Sequence, residues 1–99
     1  MEKQTADQAT LYALSDFFKV MGDATRIRIL WALDCREKCV QELCSELDMS
    51  KSAVSHQLRI LKDAKLVRYR KEGKFVYYAL NDEHVRSIVE LGLTHITHD

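Results

Sequence analysis

The chain has 99 residues, is 46% hydrophobic and balances fifteen basic against fifteen acidic side chains. That length fits one domain, residues 1–99, with a modest core that a second copy would reinforce. No apolar run approaches the ~18 residues of a membrane span, and the polar, acidic opening MEKQTADQAT is unlike a signal peptide, so a cytoplasmic protein is expected.

In chain order, spacing predicts a first helix over residues 6–21, with Ala9, Tyr12, Ala13, Phe17, Val20 and Met21 as an apolar face for the core or a dimer interface. Gly22 breaks it, and Asp23 can cap a second helix over 24–33, with Ile27, Leu30, Trp31 and Leu33 apolar. Residues 34–38 read as a charged connection. A short third helix over 40–47 turns Val40, Leu43, Cys44 and Leu47 inward, and Asp48-Met49-Ser50 is a three-residue turn. Ser50 is a good N-cap for a fourth helix, in which Val54, Leu58 and Leu61 recur at i, i+4 and i+7. Two short helices joined by such a turn form a helix-turn-helix, the second being the reader. Lys51, Ser52, Ser55, His56, Gln57 and Arg59 lie off the apolar stripe and have the size to reach phosphates or base edges.

After Asp63 the period changes from 3.6 to 2. Residues 66–71 and 74–80 read as strands, with Glu72-Gly73 as the tight turn between them. Arg68, Arg70, Lys71 and Lys74 cluster near the tip, which makes this hairpin a wing for phosphate or minor-groove contact. Asn81 or Asp82 then caps a last helix to about residue 97, apolar at Val85, Ile88, Val89, Leu91, Leu93 and Ile96. The expected fold is mainly α with a β-hairpin, a winged helix-turn-helix of order α-α-α-α-β-β-α that pairs as a homodimer. Zero net charge hides an uneven distribution: residues 51–74 hold eight basic and two acidic side chains, a local charge of +6. A solvated charged face is the plain alternative to a nucleic-acid footprint.

Three segments, FKVMGDATRIRIL (18–30), VQELCSELDMSKSAVSHQLRILKDAKLVRYRKEGKFVYYAL (40–80) and the C-terminal histidines, together resemble the ArsR/SmtB family of metal-responsive winged-helix repressors. The resemblance spans nearly the whole chain, and the family's usual proline is replaced by Ala24. It implies a homodimer that binds double-stranded operator DNA and controls metal-efflux or metal-homeostasis genes. Two-fold protein symmetry in turn implies an inverted-repeat operator.

Asp82, His84, His95 and His98 form the pattern D-x-H-x10-H-x2-H. In the family this pattern on the last helix is a zinc/cobalt-type sensory site. Zinc takes four N or O ligands at ~2.0–2.2 Å. His84 and His95 are eleven residues apart, roughly 16 Å along a helix, too far for one ion within one chain. Eleven steps of about 100° nonetheless return them to nearly one face. Antiparallel pairing of two copies brings Asp82 and His84 of one to His95 and His98 of the other, and a two-fold axis makes two such sites. Scattered surface histidines are the plainer alternative. Zinc is the expected ion, with cobalt or nickel as alternatives.

A second family site type, built from thiolates on the third helix, is not expected. Cys44 stands at its first position, but Glu46 replaces the second cysteine and residues 1–34 contain no Cys or His. Three cysteines, Cys35, Cys39 and Cys44, fit a reducing compartment better than a disulfide framework, and a thiol-redox sensor built on them is the alternative function. A catalytic metal normally keeps an open ligand position in a pocket. A four-ligand site between helices, with no nucleophile motif nearby, argues against an enzyme.

Overall fold

The computed structural model describes residues 6–98, so the opening residues 1–5 and Asp99 lie outside it. The elements are α1 (Gln8–Met21), α2 (Ala24–Ala32), β1 (Lys38–Cys39), α3 (Val40–Leu47), α4 (Lys51–Asp63), β2 (Val67–Glu72), β3 (Phe75–Leu80) and α5 (Glu83–Thr97). The order differs from expectation by one strand: residues 38 and 39 leave the charged connection and pair antiparallel with Tyr78 and Tyr77, giving a sheet ordered β1-β3-β2.

Helices α1, α2, α4 and α5 each begin at a side chain that accepts an orphan amide. Asp7 accepts from Thr10, Asp23 from Arg26, Ser50 from Ala53 at 3.1 Å and Asp82 from Val85 at 3.0 Å. Thus α1 starts at Gln8, two residues later than the apolar pattern suggested. A Cβ on Gly22 would approach the Phe18 carbonyl oxygen to 3.0 Å, so glycine lets α1 turn sharply into α2. Asp48 ends α3 at φ 55°, a left-handed conformation that aspartate tolerates better than most residues.

Val54, Leu58 and Leu61, the predicted stripe of α4, are fully buried with Ile29, Leu30, Leu33, Leu43, Leu66 and Val67. One core therefore joins α2, α3, α4 and the start of the wing, and burial of each leucine is worth about 1.5–3 kcal/mol. On α2, Ile29, Leu30 and Leu33 point inward, whereas Ile27 and Trp31 face outward. In the same way α1 leaves Leu11, Tyr12, Leu14 and Phe18 exposed, and α5 leaves Leu91 71% and Ile96 77% exposed.

The hairpin turn sits one residue later than Glu72-Gly73. Glu72 pairs with Phe75, so Gly73-Lys74 is the two-residue loop. Gly73 has φ +61° and Lys74 has no positive φ, the pattern of a type II′ turn whose first central position wants glycine. This places Lys74 at the tip of the wing rather than at the start of a strand.

Candidate nucleic-acid interface and metal ligands

With its apolar stripe in the core, α4 turns the rest of its surface to solvent. Lys51, Ser52, Ser55, His56 and Arg59 are all exposed on it. Ser50 consumes one amide at the helix start and lies 3.4 Å from the Ser52 hydroxyl, which keeps small polar groups around that end. Gln57 departs from its neighbours. It is only half-buried, but its Oε1 accepts a 3.0 Å hydrogen bond from Arg26 Nε on α2.

Lys71 and Lys74 project from the exposed end of the wing. Arg70 is engaged elsewhere. Its Nε and Nη2 donate to Glu37, the latter at 2.5 Å, and its Nη1 donates to Glu72 at 2.8 Å. The guanidinium also lies 4.9 Å from the Tyr77 ring centre. Arg70 on β2 and Cys39 on β1 both face Tyr77 on the central strand, so Arg70 reaches across β3 to the residue preceding β1. Hydrogen bonding to Glu37 and then Glu72 raises the Arg70 pKa, and the reciprocal bond lowers that of Glu37. Glu37 thereby holds the wing to β1, a role that no local sequence pattern announces, because the partners are 33 residues apart.

The candidate metal ligands occupy the two ends of α5. Asp82 is its N-cap, and His84, in the first turn, lies with Nδ1 3.6 Å from Asp82 Oδ1 and its side chain 93% exposed. The Val85 amide, more than the Asn81 side chain, lowers the Asp82 pKa, so the carboxylate stays ionised as a ligand requires. His95 is exposed in the last turn, and His98 is the residue at which the helix ends, with extended backbone (ψ 135°). Helical i, i+3 geometry between these two therefore stops just short of His98. Among the described residues of one chain, no three His, Cys, Asp or Glu side chains are close enough to hold an ion. The donors fit zinc in kind, as one carboxylate and three imidazoles. They lie as two half-sets at opposite ends of a helix with exposed apolar residues.

The thiols differ in setting: Cys35 is exposed, Cys39 is buried at the start of α3, and Cys44 is half-buried against the core. Glu46, which takes the place of a second α3 cysteine, receives the buried Lys38 ammonium at 2.6 Å. No helix among the described residues is long and apolar enough to cross a membrane.

A helix-turn-helix with a basic hairpin beside its second helix defines a winged helix-turn-helix domain of the kind found in transcriptional regulators. Residues 23–69 match the family described as bacterial regulatory protein, arsR family. Over 87 residues the chain is 44% identical to the transcriptional repressor SmtB homolog of Synechocystis, covering 88% of this chain and 64% of that protein. It is 43% identical over 79 residues to the cadmium resistance transcriptional regulatory protein CadC homolog of Staphylococcus aureus, covering 79% of this chain and 65% of that one. A homodimeric winged helix-turn-helix DNA-binding domain from Mycobacterium bovis, described as a possible ArsR-family regulator, superposes with a TM-score of 0.85 at 26% identity, covering 98% of this chain and 91% of that one. The chain belongs to the ArsR/SmtB family. It spans just under two thirds of the length of these two curated relatives, which are regulators rather than enzymes.

Proposed function

We propose that this protein is a homodimeric, metal-responsive repressor that binds operator DNA without metal and releases it when zinc fills the α5 sites. Lys51, Ser52, Ser55, His56 and Arg59 supply the reader surface, and Lys71 and Lys74 supply wing contacts to phosphate. Arg70 shapes the wing through Glu37 and Glu72. A protein acting on operator DNA works in the cytoplasm, and the two-fold dimer calls for an inverted repeat.

One observation carries the reading. The donors Asp82 and His84 share one end of α5, His95 and His98 share the other, and the helix between them exposes Leu91 and Ile96. Covering that apolar surface with a second α5, antiparallel to the first, completes two four-ligand sites. Each bound ion would then join the subunits and fix their relative angle. Zinc release of DNA requires that the ion bind the DNA-incompetent arrangement better, with a coupling of ~1–3 kcal/mol or more. The names of the two curated relatives, a repressor and a cadmium resistance regulator, support a role of this kind.

The test uses an inverted-repeat duplex selected from a random library by the wild-type protein, with binding followed by fluorescence anisotropy with and without Zn²⁺. Wild type releases the duplex on adding zinc. His95→Ala keeps its metal-free affinity and no longer responds. A His95→Ala protein that still releases DNA with zinc removes α5 as the sensor.

A further inference from the structure

The two arginines of α2 tie the reading motif to the rest of the fold. Arg28 Nη2 donates to the Leu47 carbonyl at the end of α3, at 3.0 Å. Arg26 does more. Its Nη1 donates at 2.9 Å to the Val20 carbonyl in the last turn of α1, and its Nε donates at 3.0 Å to Gln57 Oε1 on α4. The Val20 carbonyl is one of the four that a helix end leaves without an intrahelical partner, and it lies at the negative end of the helix dipole, where a cation is favoured. One planar, part-buried guanidinium therefore joins α1, α2 and α4. Its fork geometry fixes direction as well as distance. The backbone amide of Arg26 is itself held by the Asp23 carboxylate at 3.1 Å, which anchors the residue at the first turn of α2.

Gln57 is the residue on α4 that this bond removes from the reader surface. A glutamine that specifies adenine uses its amide oxygen and its amide nitrogen together. Here the oxygen already accepts from a charged donor, and the side chain is half-buried where Ser55, His56 and Arg59 are exposed. Breaking that bond to reach a base would leave a part-buried guanidinium N–H without its partner, which is costly.

We propose that Arg26 and Gln57 form a joint that sets the rotation of the reader helix relative to α1, and that Gln57 acts on DNA binding by position and not by reading a base. Both are positioning residues. Because α1 exposes Leu11, Tyr12, Leu14 and Phe18, the joint links a helix suited to the second copy with the helix that meets DNA. The proposal rests on α4 being the reader.

The test measures affinity of Arg26→Leu, Gln57→Leu, the double variant and Gln57→Glu for the selected inverted-repeat duplex, in metal-free buffer, after circular dichroism and sedimentation have shown a folded dimer. Base preference is re-selected from the random library for Gln57→Leu and Gln57→Glu. The joint predicts that each leucine variant binds about tenfold more weakly, the scale of one lost hydrogen bond to a charged group. The double variant should bind no more weakly than either single one. Gln57→Glu, which keeps an acceptor for Arg26, should retain affinity and the wild-type base preference. That arm decides alone if the leucine variants do not fold, since a base-reading residue at 57 would shift preference towards cytosine on becoming glutamate. Multiplicative losses in the double variant, or altered preference at one base pair, overturn the proposal. Ser55→Ala and His56→Ala are run beside these. If both leave binding intact, α4 is not the reader and the proposal falls with that reading.

Discussion

Arg70 and Lys71 are adjacent basic residues on the wing, yet the structure gives them different electrostatic standing. Arg70 is neutralised by two carboxylates, Glu37 and Glu72, whereas Lys71 forms no ion pair among the described residues. On the proposed wing assignment, replacing Lys71 with Gln removes one phosphate contact per protomer, hence two per dimer. Each neutralised phosphate contributes about 0.9 to the slope of log K against log salt concentration, so the slope should fall by about 1.8, and each doubling of salt should then weaken binding about 3.5-fold less than it does for wild type. The matching control is Glu37→Gln with Arg70→Gln, which removes one positive and one negative charge together. It should leave the slope within about 0.5 of wild type, since no released counterion is counted there. The assay is anisotropy on the selected duplex from 0.05 to 0.3 M NaCl, on the order of the range where such slopes are measured. If the double variant loses as much slope as Lys71→Gln, Arg70 leaves Glu37 for a phosphate when DNA arrives, and the assignment of Arg70 to wing geometry is wrong.

Three further outcomes follow from the core, a capping carboxylate and the donor set. Leu58 is fully buried in the stripe that joins α4 to the core, so Leu58→Ala should cost about 3 kcal/mol in urea unfolding, and a cost below about 1 kcal/mol would mean the site collapses around the missing atoms. Glu42 accepts from Arg36 and from the Cys39 amide, and these bonds hold its carboxyl at about 2, below the ordinary 4.5. A folded-state value below the unfolded one stabilises the protein fully above about pH 4.5 and loses that contribution as the pH falls towards 2. The stability difference between wild type and Glu42→Gln should therefore be present at neutral pH and close on the acid side, and a pH-independent difference would contradict it. Zinc ligation needs neutral imidazoles, so zinc affinity should drop as the pH is lowered towards ~6, measured by competition with a chelating dye, and a flat profile would point away from histidine ligands.

The helices and the exposed face of α4 were legible because they depend on local spacing. The i, i+4, i+7 stripe of Val54, Leu58 and Leu61 is fully buried, as its period requires, and Ser50 and Asp82 cap the helices they precede. Strand β1 was not legible. Two residues carry no period, and Lys38 reads as solvent-facing until its pairing with Glu46 at 6% exposure is known. The hairpin turn slipped by one residue because Gly73 can serve at either central position, and only its φ places it first. Gln57 and Arg70 look like free polar groups in sequence. Their partners, Arg26 and Glu37, stand 31 and 33 residues away, beyond any helical or strand spacing. The Asp82, His84, His95 and His98 pattern is a set of ligand types in sequence, and its division between the two ends of α5 follows from helix rise alone.

The most direct test of the proposed sensor is a Co²⁺ titration of the reduced protein, read by visible absorption, with His95→Ala run in parallel. Sites built from Asp82, His84, His95 and His98 across two subunits predict intense tetrahedral d–d bands without a thiolate charge-transfer band. They should saturate at one ion per subunit and be absent in the variant. A strong thiolate band would move sensing to Cys35, Cys39 and Cys44, and bands that survive in His95→Ala would contradict the α5 site.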